Sequence, residues 1–402
     1  MVVDILGKSL VYLDALCGVK PSRRTGSVGN RAATDFFVGV VESWGYIVDL
    51  VDFPCFDYEV GEVSLTCLGE GFDVLVSPYS LGCDVEGVLV SASTVEGLKS
   101  LDCLGKVLLL RGDVCSEQLM PKNFPFYNPD HHRRIVALLE EKSPKAIITA
   151  TGKNPGLAGS LYPFPLINDG DFDIPSVYCK DVVGDRIAAQ SEQVFQLKIE
   201  AERIRSTACN VLLSHGGASS RKVVVCAHID VYGDSQGAVD NASGTVVLLL
   251  LAEMLRDYRG EVGVEIIAFN GEDHYSAGGQ KDYLGRYGEK LDEVIVAVNV
   301  DGVGYHRGGS CYSLYGCSDE LWGLTESVFS GYEGVSEGDP WYSGDHSIFV
   351  QRGIPAIAFT SEYTSEIVEK VAHSLNDTPD LVDGKKLVDI ASAIRDFILK
   401  IG

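Results

Sequence analysis

The chain is short of positive charge: 33 Lys and Arg stand against 57 Asp and Glu, giving 402 residues a formal net charge of −24. That balance repels a phosphate backbone or an anionic membrane surface, so neither nucleic acid nor membrane is expected as a partner. The basic tract "HHRR" at His131–Arg134 is too short and isolated to reverse this. A long apolar run is missing as well. Val246–Leu251 falls far below the roughly 18 residues that cross a bilayer. The amino-terminal "MVVDILGKSLVYLDAL" breaks its apolar residues with Asp4 and Lys8 and has neither a basic start nor a small-residue cleavage site, so it reads poorly as a secretory leader. The 11 cysteines show no CxxC spacing, which suits reduced, buried thiols in a cytoplasmic protein better than a disulfide framework. No HExxH or phosphate-loop pattern is present. "GVG" at Gly302–Gly304 meets Arg307 where a dinucleotide loop needs a third glycine.

What is present is ample core material, 46% hydrophobic residues with 22% charged. A chain this long exceeds the size of a single hydrophobic core, so two domains are expected. Three zones can be separated. Residues 1–60 read as helix, helix, strand, with Ala33, Phe36, Phe37, Val40, Val41 and Trp44 at helical spacing before Gly45. Residues 61–196 hold short apolar strands, "VEGVLVSAS", "GKVLLLRGD", "KAIITATG" and "IPSVYCK", around one helical run, "RRIVALLEEK". From there to residue 402, strands and helices alternate, and the helix "NASGTVVLLLLAEMLRDY" opens on polar capping residues. That pattern predicts an α/β domain, a mostly parallel sheet between two helical layers. It comprises 1–60 and 197–402, and the β-rich 61–196 is inserted into it.

Polar residues of the last zone sit where its apolar strands end. "VVVCAHID" closes on His228 and Asp230, "IIAFNGED" on Glu272 and Asp273, and "VAVNVD" on Asp301. The carboxyl ends of strands in an open α/β sheet line one binding crevice. Asp240, heading the next helix, and His373 in "AHSLNDTPD" complete the set. Imidazoles mixed with carboxylates suit zinc or a similar ion. The acids exceed what one tetrahedral ion needs, whereas two ions sharing one carboxylate use them all. Glu272 and Asp273, adjacent in an extended segment, point opposite ways and can divide metal binding from substrate chemistry.

"AHID", "GAVDNASG", "NGED", "NVDGVG", "SGDHSIF…RGIPAIAF" and "AHSLNDT", in that order, resemble the co-catalytic zinc exopeptidase family. Bacterial leucyl aminopeptidases, glutamate carboxypeptidase and glutaminyl cyclase belong to it. The resemblance covers about residue 205 to the end, with an echo in "SRRTGSVGNRAATDFF". "LGKVLLLRGD", "KAIITATG" and "DIPSVY" resemble a protease-associated domain, which several members carry inserted here. The resemblance implies two divalent ions, zinc first, with cobalt or manganese as alternatives. His228, Asp240 and Asp301 would hold one, and Asp240, Asp273 and His373 the other. It makes Glu272 the general base and gives Asp230 the second nitrogen of His228, with Asp377 doing the same for His373. Asp345 and His346 match residues that line the family's substrate cleft. Position 273 is usually glutamate in this family. The shorter aspartate implies a weaker second ion or a different metal preference.

The expected substrate is a peptide, cleaved from its amino end because the motif loops are dominated by acids and a carboxypeptidase needs a fixed cation. The other readings are a carboxypeptidase of the glutamate carboxypeptidase type and a non-catalytic, receptor-like binding protein on the same fold. A receptor-like protein would be expected to have lost ligands, and none is lost. Assembly into a homo-oligomer is left open.

Overall fold

The computed structural model describes residues 5–217 and 220–401. It divides into two compact units, one made of Met1–Cys55 with Thr207–Gly402 and the other of Phe56–Ser206.

The first unit is built on an eight-stranded mixed sheet. Across it the strands run Val48–Asp49, Val211–Gly216, Gly263–Phe269, Lys222–His228, Val294–Val300, Ala356–Ser361, Ser310–Tyr315 and Val335–Glu337. The central four are parallel, with His228 opposite Phe269, Cys226 opposite Asn299, and Val300 opposite Phe359. Their carboxyl ends therefore share one edge. The chain leaves Lys222–His228 for the neighbour on one side, Gly263–Phe269, and then returns to pair Val294–Val300 on the other side. The strand order reverses at His228, and such a reversal opens the crevice in which α/β sheets bind ligands.

Alternation along these strands divides the unit into layers. Val223, Val225 and Ala227 join the main core with Ile266, Val298 and Phe359. The helix Ser243–Leu255 packs there too, together with Ile5–Cys17 and the amphipathic Gly384–Ile401. On the opposite face Phe269 meets the ring of Tyr283 edge-on at 5.4 Å, and Tyr283 in turn packs on Phe349. Helices thus cover both faces, the expected three-layer α/β arrangement. The stretch Ala238–Leu255 is longer and more apolar than the Val246–Leu251 run alone suggests, with a mean hydropathy of 1.5 over 18 residues. It is 83% buried, as suits a helix enclosed by sheet and helices. Sequence patterning missed the strands Val211–Gly216, Ser310–Tyr315 and Val335–Glu337 and the helix Asp319–Phe329, which Ser318 caps by accepting the Leu321 N–H at 3.2 Å.

The second unit has its own sheet, in which Cys83–Ala92, Val107–Leu110, Ala146–Thr151 and Ser176–Lys180 are parallel and lie in sequence order. The antiparallel Val194–Cys209 extends the sheet beyond Cys83–Ala92. Leu89, Val107, Ile148, Val177 and Phe195 form one core; Leu108, Leu110, Ile147, Val136 and Leu139 form another under the helix Asp130–Lys142.

Candidate active site

His228 ends its strand with its side chain buried. Its Nε2 lies 3.2 Å from Asp240 Oδ1 and 3.5 Å from Asp301 Oδ1. The other oxygen of Asp240 lies 3.3 Å from His373 Nε2, which is 3.1 Å from Asp273 Oδ1. Asp240 therefore presents one oxygen to each histidine. Three donor groups result, each within 4.8 Å: His228, Asp240 and Asp301; Asp240, Asp273 and His373; and His228, Glu272 and Asp273. Ligands about 2.0–2.1 Å from a tetrahedral ion stand roughly 3.3–3.4 Å from one another. The spacings of 3.1–3.5 Å match that, so the residues fit two ions sharing Asp240.

The electrostatics agree. Burial lowers the proton affinity of His228, but Asp301, Asp230 and Asp240 raise it further, leaving the ring well above its usual range. His373 is likewise disfavoured by burial and carried well above it by Asp273 and Asp240. For Asp240 burial pushes upward, and the two histidines pull its carboxyl below the usual range. A cluster that draws protons onto one buried and one half-buried imidazole draws divalent cations to the same atoms. Burial pushes Glu272 up; His228 opposes this, but Asp273, Asp301 and Asp345 add to it, so Glu272 ends well above the usual carboxylate range.

The loop bearing Asp240 is held on every side. Asn241 Nδ2 donates to Val300 O at 2.9 Å, and Asn241 Oδ1 accepts the Gly244 N–H at 2.9 Å. Gly244 is required there, because a Cβ would stand 2.3 Å from Val300 O. Asp377 accepts the N–H groups of Val239 at 2.7 Å and Asp240 at 3.0 Å. This corrects the role the resemblance implies for Asp377: it holds the backbone of the shared ligand, not the ring of His373. Asp230 has two tasks. Its Oδ1 faces His228 Nδ1 at 3.6 Å, and its Oδ2 accepts from Thr25 Oγ1 at 2.8 Å and from the Asp273 N–H at 3.2 Å.

Asp345 and His346, expected to line a cleft, are each only 1% exposed, so they back the site instead of facing solvent. Asp345 accepts from Gln280 Nε2 at 2.7 Å. Burial raises its carboxyl to about 7, with His228 opposing and Asp301 and Asp230 adding. His346 rests between Trp341 O, 2.9 Å from Nε2, and Asn299 Nδ2, 3.3 Å from Nδ1.

Sequence reasoning missed Arg23, whose buried guanidinium donates to the carbonyls of Leu16, Ile229, Gln236 and Gly237 at 2.7–3.1 Å. It also missed Thr25 behind Asp230 and Tyr232 against His373. The echo in "SRRTGSVGNRAATDFF" marked the segment, but nothing in it separates the buried Arg23 from Arg24, which pairs with Asp234 at 3.1 Å. A further donor group, Glu117, His131 and His132, lies in the second unit. There the Met120 N–H donates to His132 Nδ1 at 3.1 Å, which leaves the proton on Nε2, the atom that faces Glu117. This arrangement does not suit a metal.

Residues 210–398 match the model of Peptidase family M28. The chain is 26% identical over 258 residues to the aminopeptidase YwaD of Bacillus subtilis, covering 62% of this chain and 55% of that protein. It is 24% identical over 282 residues to a probable lipoprotein aminopeptidase, LpqL, of Mycobacterium tuberculosis, covering 67% and 52%. It thus spans about half the length of these curated relatives. Among solved structures, the fold is similar to the aminopeptidase from Aneurinibacillus sp. strain AM-1, with a TM-score of 0.73 at 23% identity over 98% of this chain and 93% of that one. It is also similar to a zinc aminopeptidase from Bacillus subtilis, with a TM-score of 0.74 at 21% identity over 98% and 94%.

Proposed function

Because residues 210–398 match the model of Peptidase family M28, we propose that the chain is a metal-dependent exopeptidase of that family that removes residues from the amino ends of peptides. One observation carries the reading: two three-donor groups, His228–Asp240–Asp301 and Asp240–Asp273–His373, meet at a shared carboxylate on the carboxyl edge of the sheet. In this proposal those residues hold two divalent ions, zinc first, with cobalt or manganese as alternatives. Such a pair, when bound, supplies a water acidic enough to ionise near neutrality and polarises the scissile carbonyl.

The chain's own residues do the remaining work. The Glu272 carboxylate accepts the proton of the attacking water and returns it to the leaving amine nitrogen. Its environment of burial and neighbouring acids raises its affinity for that proton. Asp230 orients His228 and anchors the Asp273 backbone, tying the two donor groups together. Asp377 and Arg23 fix the loop that presents Asp240.

The choice of the amino end rests on charge. Arg307 near the Asp301 strand end is taken by Glu366, with Nη1 2.5 and 2.7 Å from its two oxygens. Arg24 pairs with Asp234, and Arg23 is consumed by carbonyls. These pairings favour recognition of a substrate amine over a terminal carboxylate, which requires an uncommitted guanidinium. The test is a peptide panel assayed with zinc, cobalt or manganese. Acetylating the amino end should stop cleavage and amidating the carboxyl end should not. The reverse pattern makes the protein a carboxypeptidase, and no cleavage under any metal supports the receptor-like reading. Elemental analysis after reconstitution should plateau at two equivalents; a plateau at one overturns the binuclear site.

A further inference from the structure

The two histidines that face Asp240 are held in different ways. Behind His228 stands a carboxylate, Asp230, at 3.6 Å from Nδ1. Behind His373 there is none. Both Nδ1 atoms are shut off from solvent without a hydrogen-bond partner among the described residues, but only that of His228 faces a carboxylate. Asp377, four positions along the chain, gives both oxygens to the Val239 and Asp240 N–H groups. His373 also lies outside any helix or strand, on a backbone φ of 62°, so no regular element fixes its side chain.

A metal-binding imidazole nevertheless needs a fixed ring, because the Nε2 lone pair lies in the ring plane and tilting the plane turns the lone pair off the ion. For most such histidines an acceptor behind the other nitrogen provides this. Here the ring of His373 lies flat on that of half-buried Tyr232, with centroids 4.5 Å apart and planes 14° from parallel. His228, Asp230 and Tyr232 occupy alternate positions of "HIDVY". One short segment thus supplies a ligand, the acid behind that ligand, and an aromatic face for the ligand opposite. A ring face sets the plane of its neighbour through dispersion and quadrupole contact, and its attraction increases when the neighbour carries a cation.

We propose that Tyr232 is the positioning residue of the second metal group, its ring face holding His373 toward Asp240 and Asp273 in place of a carboxylate. This rests on the two-ion reading above. The test is zinc titration of the full chain, stripped of metal, against a chromophoric chelator, read as two separate dissociation constants. Loss of a group that orients a metal ligand costs about 10- to 100-fold in affinity, so Tyr232→Leu should weaken one ion by that factor and leave the other within about threefold of wild type. Tyr232→Phe, which keeps the face and removes the hydroxyl, should restore both constants. If the leucine chain does not fold, Tyr232→Met, of similar bulk and without a flat face, takes its place. The proposal is overturned if both ions bind the leucine or methionine variant as they bind wild type. It is equally overturned if both weaken alike, which marks a general structural role, or if Tyr232→Phe is as impaired as the leucine variant. A wild-type chain that binds fewer than two ions defeats the two-ion reading itself, and that outcome is read before any variant.

Discussion

Each unit of this molecule has four parallel strands whose carboxyl ends line up along an edge, yet among the described residues only that of the first unit gathers two donor groups around a shared carboxylate. In the second unit Cys83–Ala92, Val107–Leu110, Ala146–Thr151 and Ser176–Lys180 follow one another across the sheet in sequence order. The strands lead into Ser93, Arg111, Gly152 and Asp181, and the charge there is met locally: Arg111 pairs with Asp185 at 3.0 Å, and Tyr162 OH donates to Asp181 at 2.8 Å. In the first unit the order reverses at Lys222–His228. Crossovers of one hand that leave a strand toward opposite sides put their helices on opposite faces, and the strand between them is left with an open end. His228 stands on that end, so the residues that follow neighbouring strands converge on it. The difference teaches that parallel strand ends do not by themselves make a site; the reversal does, provided the residues at it are donors.

The comparison can be broken most directly at Glu272. Glu272→Gln should lower kcat by about 10²–10⁴ while metal content stays at wild-type level, because the amide cannot take the water's proton. Turnover within a few-fold of wild type would remove Glu272 from the base role. Next in size is Arg23→Met, which takes a charged donor from four carbonyls, of which, among the described residues, only those of Leu16 and Gly237 keep a backbone N–H, from Val19 and Ala242. A loss of about 3 kcal/mol in urea unfolding is expected, since a hydrogen bond to a charged group is worth roughly 1.5–3 kcal/mol and such terms do not add fully. An unchanged midpoint would show that the loop before Asp240 holds itself. Chelation followed by a zinc titration should raise the melting temperature with zinc concentration, by about 2.7 kcal/mol of stability at a hundredfold excess over Kd. A flat response would mean that the donor cluster does not bind zinc in the folded chain. The smallest effect is expected in the second unit. Arg111→Gln breaks an exposed pair and should change stability by less than about 1 kcal/mol. A larger loss would show that this edge is more than neutralised surface.

The donors at strand ends were legible because the signal is local. An apolar run that stops on His228 and Asp230, on Glu272 and Asp273, or on Asp301 shows within a few residues where a strand ends and what it offers. Asp240 and His373 follow no strand; their residue types added them to the donor set, but only the resemblance assigned them to particular ions. The short strands Ser310–Tyr315 and Val335–Glu337 carry too few alternations to stand out. Asp345 and His346 were legible as a motif, but whether they face solvent or back the site depends on how Trp341, Asn299 and Gln280 pack around them.

By itself, then, the order of residues determined which side chains could ligate and, for His228, Asp273 and Asp301, which strand each would follow. Patterning over seven-residue strands such as Lys222–His228 and Val294–Val300 is strong enough for that. Only the tertiary structure decided how those ligands are held. Thr25 reaches Asp230 across 205 positions, Arg23 reaches Gly237 across 214, and Asp377 reaches Val239 across 138. Hydrogen bonds over such separations leave no periodic trace in a sequence. They form because burial of the loop around Asp240 removes water from its carbonyls and N–H groups, and each must then find whatever partner the fold brings near.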